Sequence, residues 1–225
     1  MAVVSNYPKL SADWLRHEKD ARLHRKQVTI LAATGNLATG AVLGQILAGA
    51  ATSAAKAGGN TGGGSLTLDA TTPKLVGVKA GVYKVRAIGL AANGGIFSVH
   101  DPDEIYIGNY TIGGPDFANQ IKFAMADSGT DFAVGDGFDI TVAAGSGKWA
   151  YYDPTAVNGC AVPRGILLDA RDVSGGADVA GVVVTGEAEI VAIGLAWGAA
   201  VDDADKKSAG VALLAKLGFQ TRQLS

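Results

Sequence analysis

Residues 153–168 read DPTAVNGCAVPRGILL, and with residues 181–192, GVVVTGEAEIVA, they decide the fold class. Asp153-Pro154 and Asn158-Gly159 are turn dipeptides. Pro163 fixes the backbone just ahead of the apolar run Gly165-Ile166-Leu167-Leu168. A polar segment, residues 169–178, follows. The chain then returns as three valines, a Thr185-Gly186 break and a second short apolar run. A unit of this kind buries an apolar strand against its returning partner and keeps polar turns outside. It contains no catalytic pattern.

The surrounding composition agrees with a β-rich chain. At 225 residues there is room for one domain or two modest ones. With 48% hydrophobic and 18% charged residues, a packed core follows and global disorder is excluded. The 32 glycines are about twice the average usage of roughly 7%, which predicts many turns between short strands and no long helices. A net charge of −2 excludes electrostatic binding of nucleic acid by the chain as a whole. The charge is uneven, however. Residues 1–26 carry six Lys/Arg and three Asp/Glu, an excess of +3 that leaves −5 elsewhere. The single cysteine, Cys160, rules out an intrachain disulfide and a cysteine-only zinc site. The start lacks the basic-then-apolar pattern of a secretory signal, and residues 30–57 are too interrupted to cross a membrane. A soluble protein that needs no disulfide bridge is expected.

Residues 1–26 read as a polar, partly helical arm with few core anchors. It is either a solvated terminus or a segment that orders on a partner through Tyr7, Leu10, Trp14, Leu15 and Leu23. Residues 27–32, QVTILA, predict a strand, with a turn at Thr34-Gly35-Asn36 and a second strand at 39–46. Residues 48–65 hold only small and polar side chains; a helical piece is expected at 50–57 and a flexible linker at 58–64. Residues 66–142 form a self-contained β-block. Strands are expected at 66–68, 82–88, 96–99, 104–107, 120–126 and 138–142, in an antiparallel sandwich or barrel. Residues 143–147, AAGSG, read as a second seam. Two such seams are what a domain inserted into another leaves behind. The boundaries that follow are an arm at 1–26, a host domain at 27–57 and 145–225, and an inserted domain at 58–144. Near the end, Asp202, Asp203 and Asp205 suit a helix start, and 206–217 is an amphipathic helix stopped by Gly218.

Chemical motifs fall away on inspection. Gly145-Ser146-Gly147-Lys148 is no phosphate loop, because Val142 and Trp149 stand where glycine and Ser/Thr are required. Asp127, Asp131, Asp136 and Asp139 lack the spacing of a calcium loop, and Asp-Gly turn chemistry accounts for them. His17, His24 and His100 share no metal-binding spacing. Cys160 has no nucleophile signature around it and reads as a small buried thiol. No catalytic residue, cofactor or metal is expected, and the chain does not read as an enzyme.

The segments RKQVTILAATGNLATGAVLGQI, KWAYYDPTAVNGCAVPRGILLDARDVSGGADVAGVVVTGEAEI and LLAKLGF, in that order, resemble the head decoration proteins of lambda-like tailed phages. The likeness covers residues 25–47 and 148–220, about half the chain. It implies a mainly β host domain with small helices, forming a homotrimer on the outer surface of the virion. There it would bind the major capsid protein of an expanded capsid and hold the shell against DNA pressure, with no direct contact to nucleic acid or membrane. The arm would be the capsid-binding part, with Tyr7, Pro8, Leu10, Trp14, Leu15, Leu23 and Arg25 as its candidate contacts. The β-block departs from the minimal family pattern. It is expected to stand outward as a knob, free for a host surface or glycan.

Overall fold

The computed structural model describes residues 10–32 and 35–222, so Thr34 of the expected turn lies outside the described residues. In chain order, a 3-10 turn at Ser11–Asp13 leads into β1 (Leu15–Glu18), α1 (Ala21–His24), β2 (Arg25–Ile30) and β3 (Val42–Gln45). Next come β4 (Ala48–Ala55), β5 (Ser65–Leu68), β6 (Gly81–Ala91), β7 (Gly94–His100) and β8 (Tyr106–Thr111). They are followed by β9 (Phe117–Asn119), β10 (Ile121–Ala126), β11 (Gly137–Ala144) and β12 (Trp149–Tyr151). The last stretch holds β13 (Pro163–Leu167), β14 (Val179–Val184), β15 (Ala188–Ile190), a 3-10 turn at Ala192–Gly194, α2 (Ala204–Ala215) and β16 (Gln220–Thr221). The fold is mainly β with small helices. Among the described residues, no helix is long and apolar enough to cross a membrane.

The chain forms two compact units. Unit 1 takes the chain up to Ile46, then Gly147–Thr155 and everything from Cys160 onward; unit 2 takes Leu47–Ser146 and Ala156–Gly159.

Unit 1 is built on a closed five-stranded barrel in the order β12-β2-β14-β13-β3. The opening sequence stretch supplies its middle. Strand β13 pairs antiparallel with β14, Ile166 opposite Val184 and Leu167 opposite Val183. Successive side chains on a strand point to opposite faces. Here both faces are covered. Leu43, Leu167 and Val183 join Val28, Ile30 and Trp149 in one core. Their neighbours Val42, Ile166 and Val184 join Ile190, Leu214 and Phe219 in a second. Strands buried on both faces read as unbroken apolar runs, which is why GILL and VVV show no alternation. Helix α2 lies over the second core. The Asp203 carboxylate caps it by accepting the Lys206 amide at 2.7 Å, and Gly218 at φ +87° ends the turn beyond it. Gly44 is required where β3 passes Cys160, since a Cβ there would sit 2.6 Å from Cys160 Cα.

Unit 2 is a sandwich of a five-stranded sheet, β4-β11-β6-β7-β8, and a three-stranded sheet, β5-β10-β9. Tyr83, Val85, Phe97, Val99 and Ile140 from the first sheet meet Leu66, Phe117, Ile121, Phe123 and Met125 from the second in one core. The outer positions of β6, such as Val82 and Ile88, are exposed. None of these strands joins the barrel sheet.

Three expectations need correction. Residues 48–55 are a strand, not a helical piece of the first unit: β4 pairs along β11 from Ala48 opposite Ala144 to Ala55 opposite Phe138. Ladder hydrogen bonds to an existing sheet outweigh the weak helix preference of alanine. The glycine stretch 58–64 is a packed loop. Cβ atoms on Gly62 and Gly64 would lie 2.7 Å from Phe132 Cα and 2.4 Å from Phe132 Cζ, so glycine serves close approach. Residues 143–144 likewise finish β11 and are no seam.

The barrel's exit and return points touch. Gly147 N donates to Ile46 O and Ile46 N to Lys148 O, both at 2.9 Å. Replacing residues 47–146 by a short Gly/Ser link should therefore leave a soluble unit 1 with its own cooperative melt, read by circular dichroism and size exclusion. Cutting only at 66–142 would strand β4 without a partner. An insoluble product from the 47–146 excision would show that the barrel needs unit 2 to fold.

Candidate functional site

The candidate site is the segment preceding β2. Tyr7 and Pro8 lie outside the described residues; the other five candidates fall into three environments. Leu10 and Leu23 are solvent-exposed, at 64% and 76%. Leu15 is half-buried against the second core of unit 1. Trp14 is 0% exposed, within that core, and presents no surface to a partner here. Arg25 opens β2 and forms a two-pronged ion pair with Glu18, Nε to Oε2 at 2.9 Å and Nη2 to Oε2 at 2.5 Å.

The segment is folded back as a hook, which corrects the expectation of few core anchors. Strand β1 pairs antiparallel with β15, Leu15 opposite Ile190 and Glu18 opposite Ala188, and Trp14 O accepts the Val191 amide at 2.7 Å. Asp20 caps the one-turn helix α1 by accepting the Arg22 amide at 2.8 Å. The Glu18–Arg25 pair then closes the hook across that turn. Strand β16 adds in parallel to the far side of β15, making a three-stranded sheet beside the barrel.

A groove of about 570 Å³ follows this sheet, lined by His17, Lys19, Glu187, Glu189, Gly218 and Gln220. None of these was read as functional in the sequence, because they come from three distant segments. Lys19 Nζ lies 2.8 Å from Glu187, and His24 Nε2 lies 3.6 Å from the same carboxylate. The hydrogen bond from Lys19 holds the Glu187 carboxyl below its usual range and holds the lysine above its own. Arg222 approaches Glu189 at 3.5 Å. The Lys19, Glu187 and Glu189 charges of the groove are thus paired within the chain.

Of the other candidates, Cys160, Asp131, Asp136 and Asp139 have structural roles, while both buried carboxylate oxygens of Asp127 have no hydrogen-bond partner among the described residues. Cys160 is 2% exposed, and burial, with the nearby Asp153 charge, pushes its thiol up to about 11. A protonated, buried thiol is a poor nucleophile. Asp136 accepts three backbone amides, Asp131 accepts the Asn93 amide, and Asp139 pairs with Arg86 at 2.5 Å. Among the described residues no group of three or more His, Cys, Asp or Glu side chains is placed to hold a metal ion.

Comparison with known proteins gives one family. Residues 4–219 match Bacteriophage lambda head decoration protein D. No curated protein matches the chain. Two crystal structures of Xanthomonas campestris FlgL, in different space groups, are similar to it at 24% identity and a TM-score of 0.30. Those matches cover 46% and 45% of this chain and 33% and 31% of the FlgL chains, so it spans about a third of their length. A TM-score that low does not place the two in one fold. The family match takes in nearly the whole chain: it belongs to the phage lambda head decoration protein D family, whose role is structural capsid binding at the virion exterior.

Proposed function

We propose that the chain binds the outside of an expanded phage capsid as a homotrimer, contacts the major capsid protein through its N-terminal segment, and stabilises the shell against the pressure of packaged DNA. The observation that carries this reading is the family match over residues 4–219, which includes both the hooked segment and the barrel. Leu10 and Leu23 support it: two large aliphatic side chains stand in solvent on a segment whose backbone is already hydrogen-bonded. Such anchors contribute to binding when a partner covers them. Three copies acting together turn a modest contact into a tight one through effective concentration. The sandwich of unit 2 is displayed on the virion, available to a host surface or glycan.

Light scattering on the purified chain should give the mass of three copies, and the protein should co-sediment with expanded shells of its own phage. The 47–146 excision should co-sediment as well. A monomer that binds glycans and ignores shells would instead make the chain a carbohydrate-binding module.

A further inference from the structure

We infer that Trp14 is a positioning residue for shell binding: it latches residues 10–24 onto unit 1 before any partner arrives. The inference rests on the proposed function for its consequence, though the latch itself is a property of the free protein.

Trp14 shares one core with Val42, Ile166 and Val184 from the barrel strands, Ile190 from β15 and Leu195 just after the 3-10 turn at Ala192–Gly194. Two glycines far apart in the sequence shape the cleft. A Cβ on Gly40 would lie 3.0 Å from the indole Cδ1, and one on Gly194 would lie 2.3 Å from Asp13 O and 2.9 Å from Trp14 Cα. Gly40 also has φ +81°, a conformation that side chains rarely adopt. Either glycine, replaced, pushes the segment off. The indole Nε1 has no hydrogen-bond partner among the described residues, so the socket selects for shape and apolar area, not for the N–H. The β1–β15 ladder and the Glu18–Arg25 pair extend the grip downstream.

The consequence concerns entropy. A segment that orders only on contact loses backbone freedom at that moment and binds more weakly for the same interface. Latching by Trp14 transfers that loss to the folding of unit 1, so the exposed Leu10 and Leu23 are presented in place. Preorganisation of this kind strengthens binding without adding a contact.

The test compares wild type, Trp14→Ala, Trp14→Phe and Gly194→Ala as full chains. Trypsin cleavage at Arg16, Lys19 and Arg22 reads the latch, and co-sedimentation with expanded shells of the same phage reads binding. Trp14→Ala and Gly194→Ala should be cut at least ~10-fold faster and bind at least ~10-fold more weakly. Trp14→Phe should fall between wild type and Trp14→Ala on both counts, because it keeps part of the buried ring and loses no bond to Nε1. Hydrogen exchange on the wild type guards against a variant that fails to fold. The β1 amides should already be slow in the free protein and change little on the shell. Wild-type cleavage as fast as that of Gly194→Ala, or β1 amides protected only on shells, overturns the latch and leaves the capsid reading standing. A loosened segment with unchanged shell affinity shows that Trp14 is merely structural and overturns the positioning role. Wild-type protein that is latched but binds no shell overturns the proposed function, and the positioning role with it.

Discussion

Gly137→Ala is expected to destabilise unit 2 strongly while unit 1 keeps its stability. Gly137 begins β11 opposite Arg86, in the central strand pair of the five-stranded sheet. A Cβ there would stand 1.9 Å from Val85 O, 3.0 Å from Val85 C and 3.1 Å from Arg86 Cα. All three are backbone atoms, so no rotamer change relieves the clash, and β11 must move away from β6. Those two strands carry Phe138, Ile140 and Val142 against Tyr83, Val85 and Ala87, a large share of the core. Overpacking usually costs about 1–3 kcal/mol and more where the backbone cannot yield. Against a typical domain stability of about 5–15 kcal/mol, that is a large fraction of what holds unit 2 together. Hydrogen exchange should show the β6 and β11 amides losing protection while β13 and β14 keep theirs. Parallel loss in the barrel would mean that the two units share one cooperative transition.

The second large effect is expected at Asp136, one residue earlier. Its carboxylate is 3% exposed and accepts the amides of Thr61, Gly62 and Ala133, each at 2.9 Å. Burial alone would raise this carboxyl; the three N–H donors outweigh burial and hold it below the ordinary value. A depressed folded-state value fixes the sign. The stabilisation is full above the unfolded value of about 3.9 and is lost as the pH falls through the lower folded one. Unit 2 should therefore weaken steadily in urea titrations below about pH 4. Asp136→Ala leaves the buried Gly62 amide and the partly buried Thr61 and Ala133 amides without this acceptor, which costs on the order of 3 kcal/mol at neutral pH. It should also flatten the acid dependence of unit 2. Some slope will persist, because Asp69 and Asp101, paired with Lys122 and Lys79, are also held below the usual range. An Asp136→Ala protein with wild-type urea midpoints from pH 3 to pH 7 would remove Asp136 from any such role.

These two sites also show where the sequence was readable. The barrel strands announced themselves because burial on both faces leaves runs such as GILL and VVV. The helix expected at 206–217 did so through its aspartate-rich start, and it runs from Ala204 to Ala215, two residues earlier at each end. Strand β4, AGAATSAA, has no contrast between faces, so its pairing with β11 has no signature in the residues themselves. The glycines at 62 and 64 read as linker because composition cannot separate freedom from close approach; only Phe132, about seventy residues away, makes the difference. Trp14 drew attention by its size, yet its socket is made by glycines at 40 and 194, which carry no hydropathy. The groove beside β1 was invisible for a related reason: residues 17–19, 187–189 and 218–220 meet only once the sheet has formed.

The adjoining backbones at Ile46 and Gly147 set a rule for what the barrel can carry. Because the two cut ends are hydrogen-bonded to each other, the barrel asks of its passenger that its termini lie about one strand spacing apart, ~4.8 Å. A different module that meets that condition is expected to mount at the same port and leave the barrel as it is.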